Sequence, residues 1–221
     1  MAETVNINHM PENTLEVFRR IGSLSFISEY TLVGGTALAI QIGHRMSEDL
    51  DFICDSEELK INTIKRNMLK AFPESRIIRQ DHNWQIDFAI KQVKVTFFST
   101  GAIAIPFKVK SHAFTAGNIY IADKKAIAAL KFSSIAHRNT FRDYYDIYCL
   151  ARYHIPLLEL IYFTKEHIPG LSPVTYTETL VYTGDIEEES IAGHLSPREN
   201  INKEEIAAFF TKELIRIREQ I

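Results

Sequence analysis

Residues 33–52 read VGGTALAIQIGHRMSEDLDF, and the residue types in this stretch could do two kinds of chemistry side by side. Gly34 and Gly35 allow positive φ and let a ligand approach the backbone. Thr36 is expected to cap a helix over Ala37–Ile42, aiming free N–H groups back at the glycine turn. A helix start of that kind is a seat for phosphate. Gly43 suits the left-handed residue that closes the helix. Asp49 and Asp51 follow on a predicted strand. Side chains alternate there, so the two carboxylates share a face while Leu50 and Phe52 turn to the core. Paired hard oxygen ligands beside a phosphate seat suit a magnesium-bound nucleotide. In the connecting turn, Arg45 offers a forked donor set for phosphate, Ser47 a hydroxyl donor, and His44 a hydrogen bond to the turn.

A second stretch, Lys131–Leu150, reads KFSSIAHRNTFRDYYDIYCL. Asn139 and Thr140 break its helical run. Thr140 with Asp143 has the spacing of a capping box, so a new helix is expected from Phe141 to about Ala151. Asp143 and Asp146 share a face of it, with Ile147 and Leu150 behind. By itself this stretch reads as a capping aspartate and a surface aspartate.

Together the two stretches resemble known sequences. The first is similar to the signature of the polymerase-β-like nucleotidyltransferase superfamily, and GGTAL…GHRxSxDLDF resembles the AbiEii/AbiGii toxin family within it. The second resembles that family's later block, Lys-x(6)-Arg-x(3)-Arg-Asp-x-x-Asp. The resemblance implies that Asp49 and Asp51 bind the metal and that Gly34 and Gly35, with Thr36, Arg45 and Ser47, hold the triphosphate. It further implies that Lys131 contacts the triphosphate as a point charge and that Asp146, or Asp143, acts as base or orients Lys131. Arg138 and Arg142 would hold phosphate or an acidic acceptor. On this basis Lys131→Ala is expected to weaken nucleotide binding with little loss of fold.

The implied activity is transfer of a nucleotidyl group from an NTP to an acceptor hydroxyl, with Mg²⁺ (or Mn²⁺) as cofactor. The acceptor would be tRNA or another RNA, and a cognate antitoxin would be the protein partner. One position departs from the superfamily. Many members carry a third carboxylate on an adjacent strand, where this chain has Thr96 in VKVTFF, a pattern found in some relatives. Asp87 on the neighbouring strand is a candidate substitute, although by itself it reads as a plain strand-face aspartate. The departure leaves a second reading, a catalytically inactive nucleotide-binding module acting through a protein partner.

The remaining elements must position these groups. Helices are expected over Asn13–Ile21 with Asn13 as cap, Glu57–Phe72, Lys124–Ala136, Leu157–Glu166, and from Asn202, which pairs with Glu205, to the end. Strands are expected at Thr31–Val33, Trp84–Ile90, Val93–Phe98 and Asn118–Ala122, with strand-like residues again over Thr175–Asp185. Gly101–Gly117, which contains Pro106, reads as loop, and so does the acidic run Glu187–Glu189. The fold class is α+β: a nucleotidyltransferase domain of mixed sheet and helices over 1–122, then a mainly helical region over 123–221 that contributes to the same active site.

Composition bounds the rest. The 221 residues are 46% hydrophobic and 24% charged, which is ordinary for a globular protein. A net charge of −3 gives no overall attraction to nucleic acid. No apolar run is long enough to cross a membrane, and the acidic N-terminus has no signal-peptide pattern. Cys54 and Cys149 lack metal-ligand spacing and read as reduced core thiols of a cytoplasmic protein.

Overall fold

The computed structural model describes residues 5–103, 107–186 and 195–220. The chain divides into two compact units, Met1–Asp123 and Lys124–Ile221.

The first unit is built on one seven-stranded mixed sheet in the order β3-β4-β5-β2-β1-β7-β6. Its strands are β1 (Thr31–Val33), β2 (Leu50–Cys54), β3 (Arg76–Asp81), β4 (Gln85–Ile90), β5 (Val93–Ser99), β6 (Ala113–Ala116) and β7 (Ile119–Ala122). Before and between them run α1 (Glu12–Gly22), α2 (Gly34–Ile42) and α3 (Ile61–Ala71). β2 pairs antiparallel with β1 and parallel with β5, so it lies inside the sheet. Its alternation is as expected: Leu50 and Phe52 are fully buried and Asp51 is half-buried. Phe52 stacks on Phe97 of β5 at 5.3 Å between ring centroids, and Phe88 of β4 meets Phe97 edge-on at 6.4 Å. Each such buried side chain is worth about 1.5–3 kcal/mol of transfer free energy. This apolar face fixes which residues remain for the other.

Several boundaries differ from expectation for identifiable reasons. α1 starts after Pro11, and Asn13 lies inside its first turn, where its amide donates to the Lys91 carbonyl instead of capping. α3 begins at Ile61 rather than Glu57. β6, read as loop from sequence, pairs antiparallel with β7 across a turn in which Gly117 has φ of 63°. Pro106 lies outside the described residues.

The second unit contains α4 (Lys124–Ile135), α5 (Phe141–Tyr153), α6 (Leu157–His167), α7 (Pro173–Val181) and α8 (Lys203–Gln220). The strand-like residues at 175–181 are helical. Pro173 occupies the helix start, where its missing N–H costs nothing, and Tyr176 and Leu180, one turn apart, are fully buried. Rings of α4, α5, α7 and α8 fill the core, among them Phe132, Tyr145, Tyr176 and Phe210. Asn202 and Glu205 form the reciprocal capping box read from sequence: the Asn202 N–H donates to Glu205 Oε2 at 3.0 Å and the Glu205 N–H to Asn202 Oδ1 at 2.8 Å. The run Glu187–Glu189 lies outside the described residues. No helix among the described residues is long and apolar enough to cross a membrane.

Candidate active site

The glycine turn is built for close contact. Gly34 has φ of 73°, which a side chain would strain, and a Cβ there would stand 2.8 Å from Asp51 Oδ2. A Cβ on Gly35 would collide with the Arg45 guanidinium and come within 3.1 Å of Ser47 Oγ. The glycines therefore let the start of α2 lie directly against Asp51 on one side and Arg45 on the other. Val33 precedes the helix and makes no side-chain cap to the first N–H groups of α2. Gly43 closes the helix with φ of 62°, as expected, its N–H donating to the Ala39 carbonyl.

Thr36 is not the cap that the sequence suggests. α2 begins at Gly34, which puts Thr36 within the first turn and buries its side chain. Its hydroxyl is 2.8 Å from Ser47 Oγ and also hydrogen-bonds the Asp49 carbonyl. Thr36 thus ties the turn carrying the aspartates to the helix, and Ser47 is held in the same contact. Two further bonds hold this turn from the N-terminal side: Ser47 N–H to the His9 carbonyl at 3.0 Å, and Thr14 Oγ1 to the Glu48 carbonyl at 2.8 Å. His44 and Arg45 are buried, and Arg45 Nη1 donates to the Met46 carbonyl at 2.9 Å. The guanidinium beside Gly35 adds positive charge to the helix start, where the peptide dipoles already favour an anion. Asp49, just before β2, and Asp51, within it, are both half-buried.

The sheet register adds a feature that sequence reasoning did not find. Asp51 is paired with Thr96, and Thr96 with Asp87. Partners in register share a face, so these three side chains form a row across β2, β5 and β4. Asp87, only 3% exposed, accepts from Gln85 Nε2 at 2.8 Å and pairs with Lys94 Nζ at 3.5 Å. Thr96 Oγ1 is buried and has no hydrogen-bond partner among the described residues. The β4–β5 register is fixed by a two-residue turn, Lys91-Gln92, both at positive φ. That turn could have been inferred from the two alternating runs it joins, but Lys-Gln lacks the Asn-Gly or Asp-Gly signature.

In the second unit, α4 and α5 bring Lys131, Asp143 and Asp146 together in the interior. Lys131 Nζ is 2.6 Å from Asp143 Oδ1 and 2.5 Å from Asp146 Oδ2, with the lysine side chain 8% exposed and the aspartates 3% and 0%. Asp143 also accepts from Arg138 Nε at 2.9 Å and Thr140 Oγ1 at 2.8 Å. The expected backbone capping by Thr140 is absent, because its hydroxyl turns to the Asp143 carboxylate instead. Burial pushes the Asp143 pKa up, but the Lys131 ammonium and then the Arg138 guanidinium outweigh it and hold the carboxyl below its ordinary value. Asp143 is thus a weak proton acceptor that anchors Lys131. Two of the three ammonium protons face carboxylates. Lys131→Ala would strand two buried carboxylates, so the expectation of little loss of fold does not hold. Arg142 is exposed and makes none of the cluster's contacts.

The fold has solved relatives. At 20% identity, and over 95% of this chain and 96% of the other, it is similar to a candidate nucleotidyltransferase from H. pylori, with a TM-score of 0.57. MenT4, a nucleotidyltransferase toxin of Mycobacterium tuberculosis, is 14% identical over 91% of this chain and 86% of its own, with a TM-score of 0.50. In sequence, the chain is 30% identical over 175 residues to an uncharacterized protein of Aquifex aeolicus, which covers 79% of this chain and 83% of that one. These likenesses establish the fold and leave the family to a broader match. The model of the nucleotidyl transferase AbiEii toxin, of type IV toxin–antitoxin systems, matches residues 18–215 and so takes in both sequence motifs: the chain belongs to the AbiEii nucleotidyltransferase toxin family.

Proposed function

We propose that the chain transfers a nucleotidyl group from an NTP to a hydroxyl of an RNA acceptor such as tRNA, as the toxin of a toxin–antitoxin pair. The observation that carries this reading is the close approach of the α2 start, through Gly34, to the Asp51 carboxylate. Triphosphate oxygens would take the N–H groups of Gly34 and Gly35, with Arg45 supplying charge behind them and Thr36 and Ser47 fixing the turn.

The donor set fits Mg²⁺. Asp49 and Asp51, two residues apart and both half-buried, offer hard carboxylate oxygens, and no cluster of three or more His, Cys, Asp or Glu side chains occurs among the described residues. Such a pair suits a hydrated ion completed by substrate phosphates rather than one held in a protein cage. When bound, the ion would neutralise phosphate charge and polarise the reacting phosphoryl group. Mn²⁺ satisfies the same donors.

In the transfer, the acceptor oxygen forms a bond to the α-phosphorus and the bond to the α–β bridging oxygen breaks. Pyrophosphate leaves with that electron pair, and the acceptor proton passes to a carboxylate. Following the family resemblance we assign that proton to Asp146, which pairs with Lys131, rather than to Asp143, which Lys131, Arg138 and Thr140 all hold. Lys131 would donate its remaining proton to phosphate, and the exposed Arg138 and Arg142 would meet acceptor phosphates. The two buried free thiols agree with a reducing, cytoplasmic setting.

Incubating the protein and Mg²⁺ with each labelled NTP and total RNA tests the proposal. Label on RNA from wild type, lost in Asp51→Asn, is the expected result. Nucleotide binding without any transfer would favour the non-catalytic binding module that Thr96 suggests.

A further inference from the structure

We infer that Thr96 Oγ1, flanked by Asp51 and Asp87, is the subsite for the acceptor's hydroxyl group. The inference rests on the transfer reading above and gives a function to a position that otherwise reads as a missing carboxylate. Three observations carry it. The register places Thr96 directly between the two aspartates on one face of the sheet, each about one strand spacing (~4.8 Å) away. Thr96 is only 5% exposed, yet its hydroxyl has no partner among the described residues. Folded proteins rarely leave such a group unpaired, and a ligand is one of the reasons they do. Finally, the carboxylates on both sides select the chemistry. They repel a phosphate oxygen and favour an O–H donor. Lys94 is 46% exposed and 3.5 Å from Asp87, so it offsets one of these charges only in part.

A threonine hydroxyl accepts one proton while donating its own. It can therefore take the acceptor's O–H beside Asp51 and hold the oxygen for attack, without becoming the base. A carboxylate in its place would bring a third negative charge to the row. The subsite thus separates orientation of the acceptor, by Thr96, from removal of its proton elsewhere.

The test compares wild type, Thr96→Val and Thr96→Ser. It measures thermal melting, calorimetric affinity for Mg²⁺·NTP, and label transfer over a range of total RNA concentrations. Thr96→Val keeps the side-chain shape and removes the hydroxyl. It is expected to melt no lower than wild type and to bind NTP as wild type does. The RNA concentration for half-maximal transfer should rise roughly tenfold, the loss of about one hydrogen bond, and Thr96→Ser should restore it. Unchanged RNA dependence in Thr96→Val overturns the subsite. So does a lower melting temperature, which would mean that the hydroxyl is bonded within the fold, or weaker NTP binding, which would place it at the nucleotide. Wild type that transfers no label overturns the transfer reading itself, whereas wild-type transfer with an indifferent Thr96→Val overturns the subsite alone.

Discussion

Lys131 is a buried structural group, and the nucleotide contact proposed for it would be made by the same ammonium. Its ammonium is buried between Asp143 and Asp146. Removing one partner of a buried ion pair costs about 3–5 kcal/mol, because the charge left behind has neither water nor a counterion. Lys131→Ala should therefore lower the unfolding free energy from urea titration by that order, and nucleotide affinity is interpretable only in whatever fraction remains folded. Asp143 makes a separate prediction about pH. Its pKa is lowered in the folded state, so its pairing contributes stability above the unfolded carboxylate value near ~3.9 and loses it as pH falls through the lower folded value. Asp143→Asn should be less stable than wild type at neutral pH, and the gap should narrow below about pH 4 in denaturation curves taken across pH. A gap independent of pH would mean that the Asp143 charge contributes nothing to the fold.

At the scale of elements, the β4–β5 hairpin sets the row that Thr96 belongs to. Lys91 and Gln92 adopt φ of 50° and 68° in its two-residue turn, a conformation that glycine takes without strain. Gln92→Gly should relieve that strain and stabilise the protein by a few tenths to about 1 kcal/mol. The change is readable as a higher urea midpoint with unchanged slope. Lys91 is the better residue to leave in place, since its carbonyl accepts from Asn13 and its ammonium pairs with Glu16. A one-residue slip of this hairpin would send Asp87 or Thr96 to the apolar face, so the turn and the buried Phe88 and Phe97 hold the polar row jointly. α2 works differently. Its position depends on the missing Cβ atoms of Gly34 and Gly35, whose space Asp51 and Arg45 use.

For the whole molecule, the decisive measurement is linkage between metal, nucleotide and stability. Mg²⁺ alone should raise the melting temperature little, because Asp49 and Asp51 complete no cage, while Mg²⁺ with NTP should raise it clearly. Saturation at 100 times Kd corresponds to about 2.7 kcal/mol. Asp51→Asn should lose the joint effect, and a mutant that still gains as wild type does would remove Asp51 from the metal site. How far all this could be read from the chain differs with the kind of interaction. The glycine pair, Asp-x-Asp and the Lys–Asp block were legible because their spacings are local, and helix and strand periods turn local spacing into a shared face. The same holds for α5 and for the capping box at Asn202. The sequence could not show that α2 begins at Gly34, since that depends on Asp51 and Arg45 lying where glycine side chains would be. Nor could it show that Thr175–Val181 is helical, because strand propensity yields there to burial of Tyr176 and Leu180. What the sequence by itself determined was the family and the residues that carry its motifs. Only the tertiary structure decided that Lys131 is locked between two buried aspartates and that Asp51, Thr96 and Asp87 form one row. The row joins strands far apart in the chain, and the lysine cluster depends on how two consecutive helices pack across a turn; packing and register set both, and no local pattern encodes them.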